Sequence, residues 1–313
     1  MTVSSDLALI ESRIADAVDR FMALDADDTI EGPCLTISRE VARQALVSSE
    51  GGKRLRALLA LHAFDATDPQ GHDDDDAHAR GRDAVLDLAC AIEVFQTAAL
   101  VHDDIIDDSD LRRGKPAAHK ALGTTSHSAS LGRGLGIMLG DLLATASVDI
   151  AHAAAQRMPR PDMIVSTFLR MHREVEIGQV LDLAAEEETP DAEHIYTLQD
   201  LKTGALIRAA CCCGVVAGHG SAAQYEAAAR YATALGLAFQ IRDDMLDVIG
   251  TQSELGKATG MDGEKNTFVR LYGLEKCEEL VKKYTDYAIS ALSAFEDTEY
   301  ITALAHSLTT RRV

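Results

Sequence analysis

The stretch from His102 to Lys120 places three aspartates where they could bind a metal ion. If it is helical, Asp103 and Asp107 lie one turn apart on the same face, with Asp104 beside them. Two carboxylates about 4 Å apart repel each other by about 4 kcal/mol at an effective dielectric constant of about 20. Oxygen ligands without interleaved His or Cys favour a hard cation such as Mg²⁺, which shares its coordination with substrate phosphates. The alternative interpretation is a solvated acidic helix end.

The same spacing recurs at Asp243, Asp244 and Asp247, inside an otherwise apolar helical pattern. Aspartates rarely stand among apolar neighbours unless they are paired or bound to a metal. Two such triplets facing one cavity would hold a cluster of Mg²⁺ ions, and such a cluster would grip a diphosphate. Diphosphate binding through Mg²⁺ is therefore the working hypothesis.

A basic segment, Gly51–Arg56 (GGKRLR), precedes an apolar helical pattern. Two glycines before a helix leave backbone N–H groups open to an anion, and the helix dipole assists binding. Lys53 and Arg56 would then flank that anion. An ordinary glycine turn with surface cations is the alternative.

Polar residues also interrupt the later apolar helices. Lys202, Thr203 and Gly204 predict a local helix break, whose exposed carbonyls could stabilise a cation. Gln240 directly precedes the second aspartate triplet, and Gly178, Gln179 and Asp182 share one helix face. Core residues that merely satisfy their neighbours are the alternative interpretation.

The composition favours helix packing and argues against a nucleic-acid partner. Apolar residues make up 47% of the 313 residues, aromatic residues make up 4%, and Trp is absent. A net charge of −20 argues against a nucleic-acid surface or an anionic membrane surface. No uninterrupted apolar run reaches the roughly 18 residues of a membrane span, and the N-terminus is acidic where a signal peptide is basic. We therefore expect a soluble cytoplasmic protein without a transmembrane segment.

Helical periodicity runs through most of the chain, with no strand pattern of useful length and no solenoid repeat. Helices are predicted over 4–23, through Val41 and Ala45, over 57–66, from 83 into the first triplet, and over 127–157, 162–186, 193–218, 222–249, 268–296 and 298–309. Residues 67–82 are predicted to be an acidic surface loop without an assigned function. The pattern predicts a single-domain, all-α helical bundle over residues 1–313.

Together these residues resemble the trans-isoprenyl diphosphate synthases, or polyprenyl synthetases, over nearly the whole chain. The family's motifs arrive in the family's order: GGKRLR, an aspartate-rich motif followed by Arg-Arg-Gly, a GQxxD segment, a Lys-Thr pair, FQxxDD and a GKxxGxD loop. One DDxxD alone is a weak signal, whereas this ordered set is specific. The resemblance implies the all-α isoprenoid synthase fold around a central cavity, and a homodimer.

The resemblance also implies a role for each matching residue. The main ligands of a cluster of three Mg²⁺ ions would be Asp103, Asp107 and Asp243, supported by Asp104, Asp244 and Asp247. The residues that would contact the allylic diphosphate are Arg112, Lys202, Thr203, Gln240, Lys257 and Lys265. The residues that would hold isopentenyl diphosphate are Lys53, Arg56, Gln96 and Arg113. The chain departs from the family at Gln96, where many relatives carry His, at Ala57, where Pro is frequent, and in a shorter loop before Lys265.

The implied reaction is a prenyl transfer. Mg²⁺ and basic groups neutralise charge on the departing diphosphate, so the allylic C–O bond ionises. The double bond of isopentenyl diphosphate attacks the carbocation, and a proton is then lost. Thr203, Gln240 and the carbonyl of Lys202 would stabilise the cation. No side chain is an evident general base, and in the family the released diphosphate is thought to take the proton.

Three other functions compete with this interpretation. A class I terpene cyclase also carries DDxxD on an α-bundle, but it has an Asn/Ser/Glu-type second metal motif and no isopentenyl site. A His-Asp phosphohydrolase would need partner histidines at a spacing that the chain lacks. A non-catalytic synthase subunit tends to lose its aspartates, and both triplets are present here.

Product length should depend on the helix that leads into Asp103. Short-chain relatives block the product tunnel with bulky aromatics at the positions of Ala98 and Ala99. The next large group on that face is Phe95, one turn deeper, and a turn of about 5.4 Å is similar to one isoprene unit. The expected product is therefore geranylgeranyl diphosphate. A longer polyprenyl product, if Phe95 merely packs in the core, and a farnesyl product are the alternatives.

The tunnel assignment predicts opposite effects of two substitutions. Phe95→Ala should lengthen the product because it removes the tunnel floor, and Ala98→Tyr should shorten it because it adds a block nearer the aspartates. Chromatography of the products measures both effects. Unchanged product lengths in both variants would contradict the assignment.

Overall fold

The protein is described by a computed structural model, which covers residues 3–23, 32–67, 75–187, 191–249 and 267–310. The α-helices are α1 (Val3–Met22), α2 (Gly32–Ser49), α3 (Leu55–Thr67), α4 (Asp75–Ile106), α5 (Ala118–Thr125), α6 (Ala129–Ala155), α7 (Pro161–Glu187), α8 (Ala192–Gln199), α9 (Ala205–Ala217), α10 (Ala222–Ile249), α11 (Phe268–Ala291) and α12 (Glu299–Thr309). The turn Leu292–Ala294, a 3₁₀-helix, follows α11. The predicted all-α fold is confirmed.

Two compact units make up the chain when residues are grouped by their contacts. Unit one consists of Met1–Leu58 and Leu86–Gln156, and unit two consists of Leu59–Val85 and Arg157–Val313. Helices α3 and α4 contribute residues to both units. The single domain over residues 1–313 stays a prediction.

The core of unit one includes apolar faces of α1 and α4. Ile10, Ile14 and Val18 follow one another at four-residue spacing along α1, and each is almost completely buried. On α4, Ile92 and Phe95 are equally buried. Burying a side chain of this size contributes about 1.5–3 kcal/mol to stability. The amphipathic first helix that the sequence predicted is confirmed.

Glycines on one face of α6 allow its neighbours in unit one to approach closely. A Cβ at Gly132 would lie 2.4 Å from the Cα of Gly123 in α5, and one at Gly136 would lie 2.9 Å from the Ile105 side chain in α4. Real side chains do not come so close in a packed interior, so only glycine fits without a shift of its neighbours. α6 therefore packs directly against α5 and against the C-terminal end of α4.

The core of unit two includes a cluster on α8, α10 and α11. Its buried members are Ile195, Ile241, Met245, Phe268, Cys277 and Val281. Ile241 and Met245 are four residues apart, so they lie on one face of α10; Ile241 precedes the second aspartate triplet, and Met245 lies between two of its members. The ring of Tyr196 meets the edge of Phe268 at a centroid distance of 5.0 Å. This packing fixes the helix face on which the triplet stands.

A π-helical turn, Asp200–Gly204, joins α8 to α9 at the helix break that the sequence predicted. A Cβ at Gly178 on α7 would lie 2.5 Å from the backbone nitrogen of Lys202. A Cβ at Gly236 on α10 would lie 3.1 Å from the Cα of Gly204. The two glycines therefore make room for the widened turn, and such turns are frequent at functional sites.

One prediction of local structure is wrong, and one feature was missed. The loop predicted over 67–82 is helical in part, because α3 ends at Thr67 and α4 begins at Asp75. Helix-forming residues such as Ala77 and Ala79 continue the helix that periodicity placed from residue 83. The missed feature is a hairpin of two strands, β1 (Leu111–Arg112) and β2 (Lys115–Pro116), which are too short to show alternation.

Two stretches among the described helices are long and apolar enough to cross a membrane, Asp76–Ile106 and Ala129–Ala155. The protein buries 78% of the apolar window of the first and 39% of that of the second. Core helices of globular proteins meet the same criterion of length and composition. The two stretches are therefore weak support for a membrane span.

Candidate active site

The first aspartate triplet lies at the C-terminal end of α4. The N–H of Asp107 donates to the carbonyl of Asp103 over 2.9 Å, which keeps their one-turn spacing. The helix closes at Asp108, whose φ of 50° is left-handed, and Ser109 donates back to the carbonyl of Asp104 over 2.9 Å. This helix end fixes the position of all three carboxylates.

Carboxylates at this position lie in an unfavourable electrostatic environment unless a cation is present. The C-terminal end of a helix carries the negative end of its dipole, equivalent to about half an elementary charge. Asp103 and Asp107 are half-buried, whereas Asp104 is buried. The two half-buried carboxylates are therefore the members of the triplet that a cation from solvent can reach.

Arg112 turns back onto the buried member of the triplet. Its Nε donates to Asp104 Oδ1 over 2.9 Å, and its Nη2 donates to the same oxygen. The Nη2 atom also lies 3.7 Å from Asp103 Oδ2. Burial raises the pKa of Asp104, and the hydrogen bond and charge of Arg112 oppose that rise. Arg112 therefore offsets the charge of the buried aspartate.

A two-residue hairpin places Arg112 beside the triplet. β1 and β2 pair antiparallel with Arg112 opposite Lys115, which leaves Arg113 and Gly114 as the loop. Both loop residues have positive φ, 52° and 74°, as a type I′ turn requires. The glycine of the Arg-Arg-Gly sequence thus serves this turn.

Arg113 contacts the segment that contains the two successive glycines. Its Nη1 donates to the carbonyls of Glu50 and Gly51 over 2.8 and 3.0 Å. A Cβ at Gly52, whose φ is 103°, would lie 3.2 Å from the Arg113 guanidinium. The backbone conformation therefore favours glycine at this position, and a side chain here would also displace the guanidinium slightly.

The prediction that N–H groups at the start of α3 are open to an anion is wrong for two of them. The carboxylate of Glu93 on α4 accepts hydrogen bonds from the backbone N–H groups of Arg56, over 3.1 Å, and Ala57, over 3.2 Å. A carboxylate is favoured at a helix N-terminus, and here another helix supplies it. These two N–H groups are therefore already satisfied within the protein.

His102, which directly precedes the triplet, contacts α6. Its Nε2 lies 3.1 Å from the carbonyl oxygen of Ile137 and 3.5 Å from Asp141 Oδ1. A Cβ at Gly140 would lie 2.1 Å from the same nitrogen. The imidazole therefore occupies space that only a glycine on α6 leaves open.

The second triplet lies on α10, and its members differ in environment. Asp243 is half-buried, whereas Asp244 and Asp247 are buried. Asp244 Oδ1 accepts from Gln240 Nε2 over 2.9 Å, and Asp244 Oδ2 accepts from the backbone N–H of Phe268 over 2.8 Å. Phe268 is the first residue of α11, so Asp244 anchors the start of that helix.

The π-helical turn carries two further predicted site residues in unit two. Thr203 Oγ1 donates to Gln240 Oε1 over 3.0 Å, so hydrogen bonds run from the turn through Gln240 to Asp244. Lys202 Nζ donates to Asp182 on α7 over 2.5 Å. The structure thus brings the Lys-Thr pair together with the GQxxD and FQxxDD segments.

A salt-bridge network holds the turn from its other side. Arg208 donates to Asp200 Oδ1 and to Glu174 Oε2, each over 2.8 Å. Arg170 donates to the second oxygen of Glu174 over 2.7 Å. Although burial raises the pKa of Glu174, the hydrogen bonds and charges of the two arginines lower it overall.

The predicted chain-length residues occupy α4 one to two turns before the triplet. Phe95 and Ala98 are buried, and Ala99 is half-buried. Gln96, on the same helix, has a buried Oε1 that no hydrogen-bond donor among the described residues satisfies. A buried amide oxygen without a donor calls for an explanation such as a bound ligand or water. A tunnel beside these residues stays a prediction.

Two site predictions lie beyond what the structure describes. Lys257 and Lys265 fall outside the described residues. The two aspartate triplets belong to different compact units, so their convergence on one cavity stays a prediction.

The candidate donors are carboxylate oxygens, which suit a hard divalent cation such as Mg²⁺. Within the described ranges, no three His, Cys, Asp or Glu side chains form a group that could hold a metal ion. Mg²⁺ is usually bound by one or two carboxylates together with substrate phosphates, rather than by an all-protein cage. Half-buried carboxylates such as Asp103 and Asp243 meet that requirement.

The sequence interpretation missed Glu93, although the sequence carries a signal for it. Glu93 stands alone in the apolar run ACAIEVF, and a charged residue is seldom buried there without a partner. What the sequence could not show is that the partners are backbone N–H groups of a different helix.

The chain is similar to known proteins over most of its length. Residues 39–306 match a family model described as polyprenyl synthetase. Two chloroplastic proteins of Arabidopsis thaliana, geranylgeranyl pyrophosphate synthases 3 and 9, are 32% and 33% identical to it over 306 residues. Each alignment covers 94% of this chain and 78% of the relative.

Solved structures share the fold. A geranylgeranyl pyrophosphate synthase from Corynebacterium glutamicum, complexed with isoprenyl diphosphate and magnesium, has a TM-score of 0.84 at 24% identity, with 100% of both chains covered. A polyprenyl synthase from Caulobacter crescentus CB15, complexed with calcium and isoprenyl diphosphate, has a TM-score of 0.76 at 26% identity. That alignment covers 100% of this chain and 98% of the other.

The contacts of the second triplet predict that two adjacent aspartates contribute differently to stability. Asp244→Asn should lower the free energy of unfolding by about 1–3 kcal/mol, because a buried donor loses its acceptor. Asp243→Asn should change it by less than about 0.5 kcal/mol, because this side chain is half-exposed. Urea denaturation measures both values, and equal effects would contradict the anchoring role of Asp244.

Proposed function

This chain belongs to the polyprenyl synthetase family, and we propose that it condenses isopentenyl diphosphate with an allylic diphosphate to make geranylgeranyl diphosphate. It is a prenyltransferase. The allylic primer would be dimethylallyl, geranyl or farnesyl diphosphate. The observation that carries the proposal is the pair of half-buried aspartates at the C-terminal end of α4, where the helix dipole opposes carboxylates that lack a cation.

We propose that Asp103, Asp107 and Asp243 ligate Mg²⁺ ions, three per active site, with Asp104, Asp244 and Asp247 in support. Bound Mg²⁺ would supply electrostatic stabilisation of the departing diphosphate. The support for this division of roles is burial: Asp103, Asp107 and Asp243 are half-buried, while Asp104 and Asp244 are buried and accept hydrogen bonds from the protein.

The allylic diphosphate would be held by basic and polar side chains, assigned by the family motifs. They are Arg112, Lys202, Thr203, Gln240, Lys257 and Lys265. Thr203 and Gln240 are joined by a hydrogen bond, so their dipoles are oriented before substrate binds. Such orientation would stabilise an allylic cation without reorganisation.

Isopentenyl diphosphate would be held by Lys53, Arg56, Gln96 and Arg113. The buried Gln96 Oε1, which accepts no hydrogen bond within the described residues, supports this assignment. The O and N of an amide side chain are assigned from their hydrogen bonds, so a flipped Gln96 would present its NH₂ group to a phosphate. Arg113 is already held against the GGKRLR segment through its carbonyl contacts.

A product of geranylgeranyl length is supported by small side chains at the first positions beyond the aspartates. Ala98 and Ala99 leave room there, and Phe95 is the next large group on α4. The Arabidopsis relatives carry the name geranylgeranyl pyrophosphate synthase. A structure described as an FPP/GFPP synthase from Zymomonas mobilis is 28% identical with a TM-score of 0.71, so other product lengths are the alternatives.

The metal roles predict which carboxylates activity depends on. Alanine at Asp103, Asp107 or Asp243 should lower kcat by about 10²–10³-fold, because transition-state charge is left unneutralised. Asp110→Ala is the matched control, since Asp110 is exposed and pairs with Lys120 on the surface. The measurement is product formation from isopentenyl diphosphate and an allylic primer with Mg²⁺.

The same assay separates the candidate functions. A synthase yields longer diphosphates, a terpene cyclase yields hydrocarbons, and a non-catalytic subunit yields no product. Chelation by EDTA should abolish turnover, and turnover that persists in excess chelator would refute the proposal.

We also propose that two copies of the chain pair through the exposed face of α6. Its apolar residues Leu131, Ile137, Met138 and Leu142 are between 39% and 51% exposed. A contiguous apolar patch on a helix is typical of a protein–protein contact. Two-fold homodimers, in which the same face serves both copies, are the commonest closed assemblies.

The dimer proposal predicts a loss of association when this face is charged. Met138→Glu should shift the molecular mass in sedimentation equilibrium from dimer to monomer, because a carboxylate would be buried at the contact. Ala153→Glu is the control, since Ala153 is an exposed position of α6 outside the apolar cluster. A wild-type monomer, or a Met138→Glu dimer, would contradict the proposal.

A further inference from the structure

We propose that Glu93 is a positioning residue for isopentenyl diphosphate: it fixes the start of α3, and with it Lys53 and Arg56. The inference rests on the proposed function, which assigns those two cations to that substrate. Glu93 belongs to none of the sequence motifs and would not touch the substrate itself.

Glu93 contacts the backbone at the end of the GGKRLR segment and at the residue that follows it. One carboxylate oxygen accepts from the backbone N–H groups of Arg56 and Ala57, over 3.1 and 3.2 Å. The Glu93 side chain is 5% exposed. Gln96 follows three residues later on α4, so both side chains lie on the same face of that helix. A single helix thus carries the anchor of the segment and a proposed ligand of the same substrate.

Arg54 offsets the buried charge of Glu93. Its side chain is 1% exposed, and its Nη1 lies 3.6 Å from Glu93 Oε2. Its Nε and Nη2 donate to the two oxygens of Glu11 on α1, over 2.7 and 2.8 Å, and Nη2 also donates to the carbonyl of Ser49. The hydrogen bond from Arg54 lowers the pKa of Glu11.

The conformation of Arg54 separates it from its two cationic neighbours. Its φ of 48° is left-handed, which is uncommon for a residue other than glycine. Arg54 is buried between two carboxylates, whereas Lys53 is exposed and Arg56 is half-buried. Of the three cations in the segment, Arg54 is therefore the one that is fully buried and paired with carboxylates of the protein.

The pairing explains how a buried carboxylate can lie beside a site for an anion. An uncompensated Glu93 would repel a diphosphate and would be costly to bury. With Arg54 opposite and the positive end of the α3 dipole beside it, Glu93 keeps its two N–H contacts while part of its negative charge is offset. Truncating Glu93 would release the start of α3, and small displacements of binding groups cost affinity steeply.

The test is steady-state kinetics with each substrate varied separately. Glu93→Ala should raise the KM for isopentenyl diphosphate about tenfold, with the KM for the allylic primer and kcat within about twofold of wild type. Glu93→Gln should restore most of the loss, because its amide oxygen still accepts from both N–H groups. Lys53→Ala, measured in parallel, reports on the proposed substrate site itself.

Asp87→Asn is the matched structural control. Asp87 lies on α4 and pairs with Arg13 of α1 over 2.6 Å, so this ion pair ties α4 to α1, whereas Glu93 ties α4 to the start of α3. It should leave both KM values unchanged. If Glu93→Ala does not fold, Glu93→Asp, whose carboxylate is withdrawn by one methylene, should show the same selective rise.

The possible outcomes distinguish a failure of the proposed role of Glu93 from a failure of the proposed substrate site. A rise in the isopentenyl diphosphate KM for Lys53→Ala but not for Glu93→Ala would overturn the role of Glu93 alone. An unchanged KM in both variants would overturn the substrate-site assignment, and the inference with it. Equal changes in both KM values and kcat would show a general structural effect and would also overturn it.

Discussion

The balance of negative charge around α4 is the constraint on which the candidate site depends. Three carboxylates stand at the C-terminal end of a 32-residue helix, where the helix dipole adds to their mutual repulsion. Arg112, which lies on the β1–β2 hairpin, offsets part of that negative charge. Asp103 and Asp107 are half-buried, so they are the members of the triplet that a divalent cation from solvent can reach.

The need to compensate a buried negative charge also distinguishes the other acidic residues of the site. Asp244 accepts from Gln240 and from the N–H of Phe268, and Glu93 accepts from the N–H groups of α3. A buried carboxylate without such donors would be costly, so these two act as anchors of neighbouring helices. Half-exposed carboxylates such as Asp243 bear no such cost and can serve a ligand. Burial thus separates residues that hold the fold from residues that can hold a substrate.

Much of the fold and many of the site contacts could be predicted because they follow from local periodicity and composition. The amphipathic face of α1 and the helix break at Lys202 were both readable from spacing alone. The start of α4 at Asp75 could not be predicted in this way, because a run of charged residues does not reveal whether a helix continues through it. The hairpin was not predictable either, since two-residue strands have no alternation to detect.

The sequence by itself determined the chemistry: oxygen-only aspartate triplets, cations at fixed places, and the order of motifs that marks a polyprenyl synthetase. These are properties of residue type and spacing, which do not depend on long-range contacts. Only the tertiary structure decided which charged groups are buried and paired with other groups of the protein. Arg54 follows the proposed ligand Lys53, and Glu93 lies three residues before the proposed ligand Gln96, yet Arg54 and Glu93 are buried against each other and against α1 and α3. The free energy of a charged group is set by burial and by partners distant in sequence, and neither can be read from its neighbours along the chain.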